Sequence, residues 1–308
     1  MPEPSAIDSE QEFLTSRPSG DGLDRLSASL GGLRIQVVRR LPGGLDCSTH
    51  LLRQGDRRLV LKRFRPDHSG AIVEFENLGF AAAAAVATPE PLAADEAGEW
   101  FGTPALVMSA LPGRAMLNPS EPRRWVKELA AALAAVHEVD PTGLPPRPAP
   151  LWQRWQPWID PPDRRMTAIA AAVAELGRHA QTEPAVLSHC DYHPGNVLFS
   201  RGRLSGITDW RGARPEPRQH DVAYCRKDLA LNPGGDLPDQ FLAAYEAEVG
   251  FSLPLVPLWD VLCGSRGMQY GHRWVTSFAE MGVPLGPSEI VTRSTTFVDA
   301  ALMRLSRL

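Results

Sequence analysis

The sequence predicts an α+β protein of two lobes, a small β-rich N-terminal lobe and a larger, mainly helical C-terminal lobe. Strand-like runs separated by turns fill most of the first hundred residues, whereas helical periodicity dominates after Gly113. The length of 308 residues is enough for two domains of ordinary size. We therefore expect a flexible tail over residues 1–28, an N-terminal lobe over 29–108 and a C-terminal lobe over 109–308.

Three strands are expected early in the N-terminal lobe. Residues 33–40 form the first run, and a Pro-Gly-Gly turn at 42–44 connects it to a second run at 48–53, which together predict a β-hairpin. The third strand covers 58–64, and alternation puts Val60, Lys62 and Phe64 on one face. Lys62 thus sits in the middle of a strand among apolar neighbours.

A helix and further strands complete this lobe. Helix-forming residues run from 71 to 85, prolines at 89 and 91 end that segment, and residues 103–108 have the composition of a strand. The first hundred residues therefore predict the order β-β-β-α-β-β.

The C-terminal lobe begins with an amphipathic helix that ends near His137, because apolar residues recur at helical spacing from Trp125 onward. The proline-rich stretch 141–150 is then a surface connection. Three tryptophans follow at a spacing of three, which predicts one face of a short helix packed on the larger lobe, with ligand stacking as the alternative. These are Trp152, Trp155 and Trp158.

Composition excludes several classes of function. The chain has 32 Lys and Arg against 36 Asp and Glu, and this net charge of −4 offers no basic footprint for nucleic acid or an anionic membrane. Residues 79–87, the most apolar run, are far shorter than a bilayer span, so no membrane segment is expected. No secretory signal is visible, and the four cysteines are widely spaced, which indicates reduced thiols in a cytoplasmic protein. Oligomeric state is not readable from the sequence.

The segment 187–210, LSHCDYHPGNVLFSRGRLSGITDW, carries the strongest chemical signal. Two short strands at 197–200 and 204–208 predict a hairpin with polar residues at both of its ends. Asp191, Asn196 and Asp209 would meet there, and such oxygen ligands suit Mg²⁺ on a nucleotide, with one carboxylate left to orient a nucleophile.

The run H-C-D-Y-H-P-G-N at 189–196, followed by I-T-D-W at 207–210, resembles the H-x-D-x-H-P-x-N and I-D-W signatures of aminoglycoside-phosphotransferase-like kinases. The resemblance spans about residues 33–230. It implies a two-lobed protein-kinase-like fold, ATP (or alternatively GTP) and Mg²⁺ as cofactors, and a small-molecule hydroxyl as acceptor. It further implies Asp191 as the catalytic base and Asn196 and Asp209 as the magnesium ligands.

The same resemblance assigns nucleotide-binding roles in the N-terminal lobe. Lys62 corresponds to the phosphate-binding lysine of the third strand, held by a helix glutamate for which Glu76 is the choice and Glu74 the alternative. The remaining residues assigned to the nucleotide are the phosphate-covering Gly43 and Gly44, Ser48, and Met108 and Ala110 in a hinge at about 108–112.

Supporting roles fall to His189, His193 and Asp221, which we expect to brace the catalytic loop. A zinc cluster of these histidines with Cys190 and Asp191 is disfavoured, because such close neighbours do not easily converge on one tetrahedral ion. A Cys190 nucleophile is disfavoured as well, because no oxyanion motif accompanies it.

The predicted function is ATP-dependent phosphoryl transfer to a small molecule, an aminoglycoside or another antibiotic. Ten acidic residues against five basic ones between 215 and 289 hint at an acidic pocket for a polycation, although surface solubility explains such a surplus equally well. Macrolides, amino alcohols and sugars stay open as acceptors. The alternative functions are a nucleotide-binding pseudokinase, and a protein kinase, for which no A-P-E element follows Asp209.

Overall fold

The computed structural model describes residues 12–42, 46–66, 70–145, 149–158 and 163–307. It has the predicted β-rich N-terminal lobe and mainly helical C-terminal lobe, so the predicted fold class is confirmed. No helix in the described ranges has the length and apolar character that a bilayer span requires.

The N-terminal lobe is built on one antiparallel sheet in the order β1-β2-β3-β5-β4. The predicted hairpin is present, and Thr49 of the second strand lies opposite Lys62 of the third. The strand bounds are Ile35–Arg40 (β1), Cys47–Gln54 (β2), Arg57–Phe64 (β3), Pro91–Asp95 (β4) and Ala105–Ser109 (β5).

Side-chain alternation gives this sheet two different faces. Lys62 pairs with Leu106, and Val60 with Met108, so these four side chains share the face that contains the cleft. The opposite face is an apolar layer whose buried residues include Leu52, Leu59, Leu61, Ala105 and Val107.

A helix that the sequence reading missed covers the apolar face. Helix α1 (Gly20–Ser29) buries Leu26 in that layer, and Arg25 Nη2 donates a hydrogen bond of 2.6 Å to the carbonyl of Trp100. The prediction of a flexible tail over 1–28 is therefore wrong for this helix. Its apolar residues are spaced too sparsely to stand out, since the helix is defined by what it packs on.

Helix α2 (Gly70–Ala81) connects the two lobes. Its Asn77 Nδ2 donates to the backbone carbonyls of Trp210, Arg211 and Ala213, at 2.8, 3.3 and 3.1 Å. These three carbonyls belong to the loop that follows Asp209. A single buried amide thus fixes the distance between the helix and the predicted magnesium motif.

The C-terminal lobe packs helices around two small sheets. One sheet pairs β7 (Ala185–Ser188) with β10 (Arg214–Pro217), and the other joins β6 (Arg114–Ala115), β8 (Val197–Ser200) and β9 (Arg203–Ile207). The helices are Pro122–His137 (α3), Leu151–Arg154 (α4), Met166–Ala180 (α5), Gln219–Leu231 (α6), Leu237–Val249 (α7), Val256–Tyr270 (α8), Val275–Glu280 (α9) and Pro287–Leu305 (α10).

The predicted hairpin of residues 197–208 is confirmed by the pairing of β8 with β9. The tryptophan segment also lies where core packing requires it, because Trp152, Trp155 and Trp158 pack against the cluster formed by α5, α8 and α10. Helix α4 ends at Arg154 and Trp155 is extended, so the three tryptophans do not share one helical face.

Candidate active site

The cleft between the lobes is closed at its centre by Lys62. Its Nζ lies 2.6 and 2.7 Å from the two carboxylate oxygens of Glu74 and 2.8 Å from Oδ1 of Asp209. Lys62 comes from β3, Glu74 from α2 and Asp209 from the end of β9, so one ammonium group links three elements of two lobes. Lys62 and Glu74 are buried, whereas the Asp209 side chain is 39% exposed and faces the cleft.

Electrostatics keep this ion cluster charged. Burial alone would lower the pKa of Lys62, but the carboxylates of Asp209 and Glu74 outweigh it and raise that pKa above its ordinary value. Burial acts to raise the pKa of Asp209, and Lys62 and Arg211 together hold it well below its usual range. Asp209 is therefore an anion at any physiological pH, as a cation ligand must be.

The choice of Glu76 as the lysine partner is wrong, and the alternative, Glu74, is right. Helix α2 is buried at Ala71, Glu74 and Leu78, which puts Glu74 on the face turned to β3. Glu76 is two residues on, about 200° around the helix axis, and half-buried. Counting back from a distant proline turn could not resolve a two-residue difference, because it does not show which helix face meets the sheet.

Asp191 and Asn196 lie together in the catalytic loop. The carboxamide nitrogen of Asn196 donates to the backbone oxygen of Asp191 at 3.0 Å and to its Oδ2 at 3.3 Å. The backbone oxygen of Asn196 accepts from the amide of Thr208 at 2.9 Å, which ties the loop to the strand that ends at Asp209. Because the amide nitrogen is turned to Asp191, the Asn196 oxygen is directed elsewhere and can serve as a ligand.

A buried carboxylate, Asp221, holds the loop from behind. Its two oxygens accept the backbone amides of His189 and Cys190 at 2.6 and 2.7 Å, and Oδ2 also contacts Nε2 of His137 at 3.1 Å. Burial tends to raise the pKa of Asp221, but the His137 hydrogen bond lowers it to about 2. Cys190 is held at φ 61, a left-handed conformation that is costly for a residue with a side chain. Asp221 thus fixes the backbone just before the predicted base.

His137 was not singled out from the sequence. Its Nδ1 lies 2.6 Å from the hydroxyl of Tyr245, so the imidazole bridges α7 to Asp221 inside the lobe. Burial lowers the pKa of His137 and keeps the ring neutral, which suits a ring that donates through Nε2 and accepts through Nδ1. A histidine at the end of an amphipathic helix gives no signal of this contact.

The two motif histidines make separate contacts within the loop. Nε2 of His189 donates to the carbonyl of Thr208 at 2.9 Å, and Nδ1 of His193 accepts the amide of Gly195 at 3.1 Å. These contacts agree with the bracing role expected of both. They also keep the two rings from sharing one metal ion.

Comparison with known proteins identifies the family. The model of the phosphotransferase enzyme family matches residues 37–260, well over half of the chain and all of the residues described above. The chain belongs to this family. The resemblance noted in the sequence is thereby confirmed.

Curated relatives of this phosphotransferase include two homoserine kinases. That of Mesorhizobium japonicum is 29% identical over 239 residues, covering 71% of each chain. That of Methylobacterium nodulans is 25% identical over 206 residues, covering 61% of this chain and 64% of its own length. The match therefore spans only about two thirds of these relatives.

Solved structures of antibiotic kinases share the fold. An aminoglycoside phosphotransferase in a ternary complex with ADP and hygromycin B is 17% identical, with a TM-score of 0.60 over 92% of this chain and 98% of that one. The macrolide 2'-phosphotransferase of Brachybacterium faecium is 21% identical, with a TM-score of 0.57 over the same shares of the two chains. At these identities the likeness shows the kinase-like fold.

The nucleotide residues assigned to the phosphotransferase in the N-terminal lobe fare differently. The hydroxyl of Ser48 lies on the sheet face opposite Lys62, 3.1 Å from Nη2 of Arg63 and 3.3 Å from the carbonyl of Ser16. The assignment of its side chain to the nucleotide is therefore wrong. Thr49, the next residue, shares the face with Lys62. Gly43 and Gly44 lie outside the described residues.

The hinge is bonded into the sheet. The side chain of Met108 is buried on the cleft face of β5, as an adenine contact requires. The backbone amide of Ala110 donates to the carbonyl of Arg58 at 3.0 Å. Any contact of Ala110 with the base must therefore use its carbonyl oxygen or its methyl group.

Helix α6 presents a polar surface to Asp191, and no motif identified it. Tyr224 makes a side-chain hydrogen bond with Asp191. One turn on, Lys227 is buried with its Nζ 3.2 Å from Asp228 and 3.9 and 4.4 Å from the ring centroids of Tyr224 and Trp274. This surface is where an acceptor bound near Asp191 would lie.

The surplus of acids between 215 and 289 does not form one acidic pocket. Asp260 binds the buried guanidinium of Arg226 at 2.9 Å, Asp239 binds Arg226 and Arg304, and Glu289 binds Arg293 at 2.5 Å. Glu246 accepts the backbone amide of Leu253. These carboxylates serve the packing of α6, α7, α8 and α10. The structure thus removes the sequence argument for a polycationic acceptor.

Proposed function

We propose that the protein transfers the γ-phosphate of ATP to a hydroxyl group of a small molecule. One observation carries this proposal: Lys62 and Asp209 from opposite sides of the cleft are bonded at 2.8 Å. A second bonded pair, Asp191 and Asn196, belongs to the loop tied to the same strand. A base, an ammonium group and two oxygen ligands around one cleft are what phosphoryl transfer requires.

The oxygen donors fit Mg²⁺, which takes one or two carboxylates together with phosphate oxygens. Asp209 supplies an ionised carboxylate that is partly exposed to the cleft, and Asn196 supplies its carboxamide oxygen. When bound, the ion neutralises charge on the phosphates. These two residues would hold it.

The residues of the chain supply the remaining functions. Lys62, held by Glu74, contacts the phosphates of the nucleotide with its ammonium group, and Met108 and Val60 line the space for the base. Asp191 accepts the proton of the acceptor hydroxyl while the acceptor oxygen bonds to the γ-phosphorus and the β–γ bridging bond breaks. Asn196 and Tyr224 keep the Asp191 carboxylate in position. GTP would meet the same phosphate contacts.

Two acceptor classes follow from the relatives. The antibiotic kinases point to an aminoglycoside or macrolide, which would make the protein a resistance enzyme. The homoserine kinases point to a small metabolite. We further place the enzyme in a reducing cytoplasm, since Cys47, Cys190, Cys225 and Cys263 are all free thiols.

The test is ATP consumption by the purified protein with Mg²⁺ across aminoglycosides, macrolides, hydroxy amino acids, amino alcohols and sugars. Asp191→Asn is the control, and it should lower turnover by about 10²–10⁴-fold while ATP affinity stays within about twofold. Turnover that survives this substitution would exclude Asp191 as the base. ATP binding with no stimulated turnover by any acceptor would favour a pseudokinase, and phosphorylation of a general protein substrate would favour a protein kinase.

A further inference from the structure

Three arginines approach one another beside the catalytic loop. Arg154 ends helix α4, Arg214 begins strand β10, and Arg266 lies on helix α8. These segments are distant in the sequence. Their meeting is therefore a product of the fold, and neither the mechanism nor any motif uses it.

Contacts between the segments fix this arrangement. The indole nitrogen of Trp155, next to Arg154, donates to the hydroxyl of Ser265, next to Arg266, at 3.2 Å. Nη1 of Arg214 reaches the carbonyl of Ala149, at the start of the tryptophan segment, at 3.5 Å. The guanidinium groups act on one another, because burial and then the charges of Arg214 and Arg266 lower the pKa of Arg154.

A single buried carboxylate, Glu216, lies among them. Arg154 and Arg214 both act on it, and Trp152 hydrogen-bonds it, yet its Oε1 has no partner among the described residues. Burial outweighs these contacts and raises the pKa of Glu216 to about 7. Near neutral pH this carboxyl is only partly ionised, so the three guanidinium charges are left mostly unbalanced.

The cluster flanks the position of the acceptor hydroxyl. Ligand atoms of Cys190, Glu216 and His220 lie within 4.8 Å of one another, and Cys190 directly precedes Asp191. On the other side, Tyr224 hydrogen-bonds Asp191 and is within electrostatic reach of Arg266. An acceptor that presents its hydroxyl to Asp191 therefore meets positive charge at its other end.

We propose that Arg154, Arg214 and Arg266 bind a carboxylate of the acceptor, so that the substrate is a hydroxy acid, such as a hydroxy amino acid. This rests on the proposed phosphotransferase function and names its substrate class. Guanidinium groups bind carboxylates through paired, charge-assisted hydrogen bonds. A polycationic aminoglycoside would be repelled at the same place.

A divalent metal is the rival occupant, since Cys190, Glu216 and His220 could each offer a ligand atom and His220 has both ring nitrogens unpartnered among the described residues. The surrounding guanidinium charges oppose a cation there. His220 also stacks on Trp259 at a centroid distance of 5.3 Å, which accounts for its burial without a metal.

The test compares acceptors that differ in the carboxylate alone: homoserine with its amide and with the corresponding amino alcohol, and other hydroxy acids with their amides, alongside hygromycin B. ADP release is measured at fixed ATP for the wild-type protein, Arg266→Gln and the exposed-site variant Arg154→Gln. Arg178→Gln, on the remote face of α5, is the matched control because Arg178 pairs only with Glu175 of its own helix.

We expect the acids to be turned over in preference to their amides. Each cluster variant should lower kcat/KM for the acid by about 10- to 100-fold, the loss of one charged hydrogen bond, mainly through KM. The amides and the KM for ATP should change by less than about twofold, and Arg178→Gln should change nothing. A purely structural role of the arginines would instead weaken acid and amide alike.

Other results overturn the inference in distinguishable ways. Turnover of amides, amino alcohols or hygromycin B in preference to the acids would leave phosphoryl transfer in place and remove the carboxylate site. If no acceptor is turned over, calorimetric titration of the same acids and amides into the ATP-bound protein decides. Binding of the acids that is lost in Arg154→Gln keeps the carboxylate site and counts against catalysis, whereas no binding rejects both.

Discussion

The two sides of the cleft are built on different principles. On the nucleotide side, Lys62, Glu74 and Asp209 form a closed set in which each charge has a partner within 2.8 Å. On the acceptor side, Arg154, Arg214 and Arg266 face one partly ionised carboxylate, Glu216. A matched set is suited to a cofactor that is always the same. An unbalanced set is suited to supply the charge that one class of acceptor must bring.

The largest effect should come from the nucleotide side. Asp209→Ala removes the anion that faces the cleft and leaves Lys62 paired with Glu74 alone. We expect Mg-ATP affinity to fall by about 100-fold or more, in line with loss of one partner of a buried ion pair. Titration with a fluorescent ATP analogue measures this, and affinity for the acceptor should be unaffected. Unchanged Mg-ATP affinity would remove Asp209 from the metal site.

A smaller effect separates the two glutamates of α2. Glu74→Gln breaks both short contacts with Lys62, and kcat/KM for ATP should fall by about 10- to 100-fold. Glu76→Gln is the matched control on the same helix and should stay within about twofold. Equal losses in the two variants would show that the helix, rather than the Glu74 carboxylate, is what Lys62 needs.

The smallest effect concerns stability on the acceptor side. The pKa of Glu216 is raised from 4.5 to about 7 in the folded protein, so the native state favours the protonated form. Its contribution to stability is therefore greatest below pH 4.5 and declines as the pH rises to 7, where the native carboxyl ionises. Above pH 7 the buried charge costs up to roughly 3 kcal/mol.

Glu216→Gln should thus raise the Tm by a few degrees at pH 8 and leave it nearly unchanged at pH 4.5, as measured by scanning calorimetry. Exposed Glu248→Gln is the control and should show no such pH dependence. A Tm gain that is equal at both pH values would mean that Glu216 is not neutralised by the fold.

Local patterns in the sequence predicted the elements on which the nucleotide side depends. The strand with Lys62 and the hairpin between Asn196 and Asp209 were both anticipated, because alternation and turn chemistry act over a few residues. Predictions that needed the position of one element against another did less well. Ser48 was put on the wrong sheet face, and helix α1 was taken for a tail.

What the sequence determined by itself was the fold class, the family and the residues of the catalytic loop, since these lie within one segment of 24 residues, 187–210. Only the tertiary structure decided that Glu74 rather than Glu76 meets Lys62, that Asp221 holds the loop amides, and that three distant arginines share one site. Each of these depends on which helix or strand faces which neighbour. That orientation is set by the packing of the whole core, which no local pattern encodes.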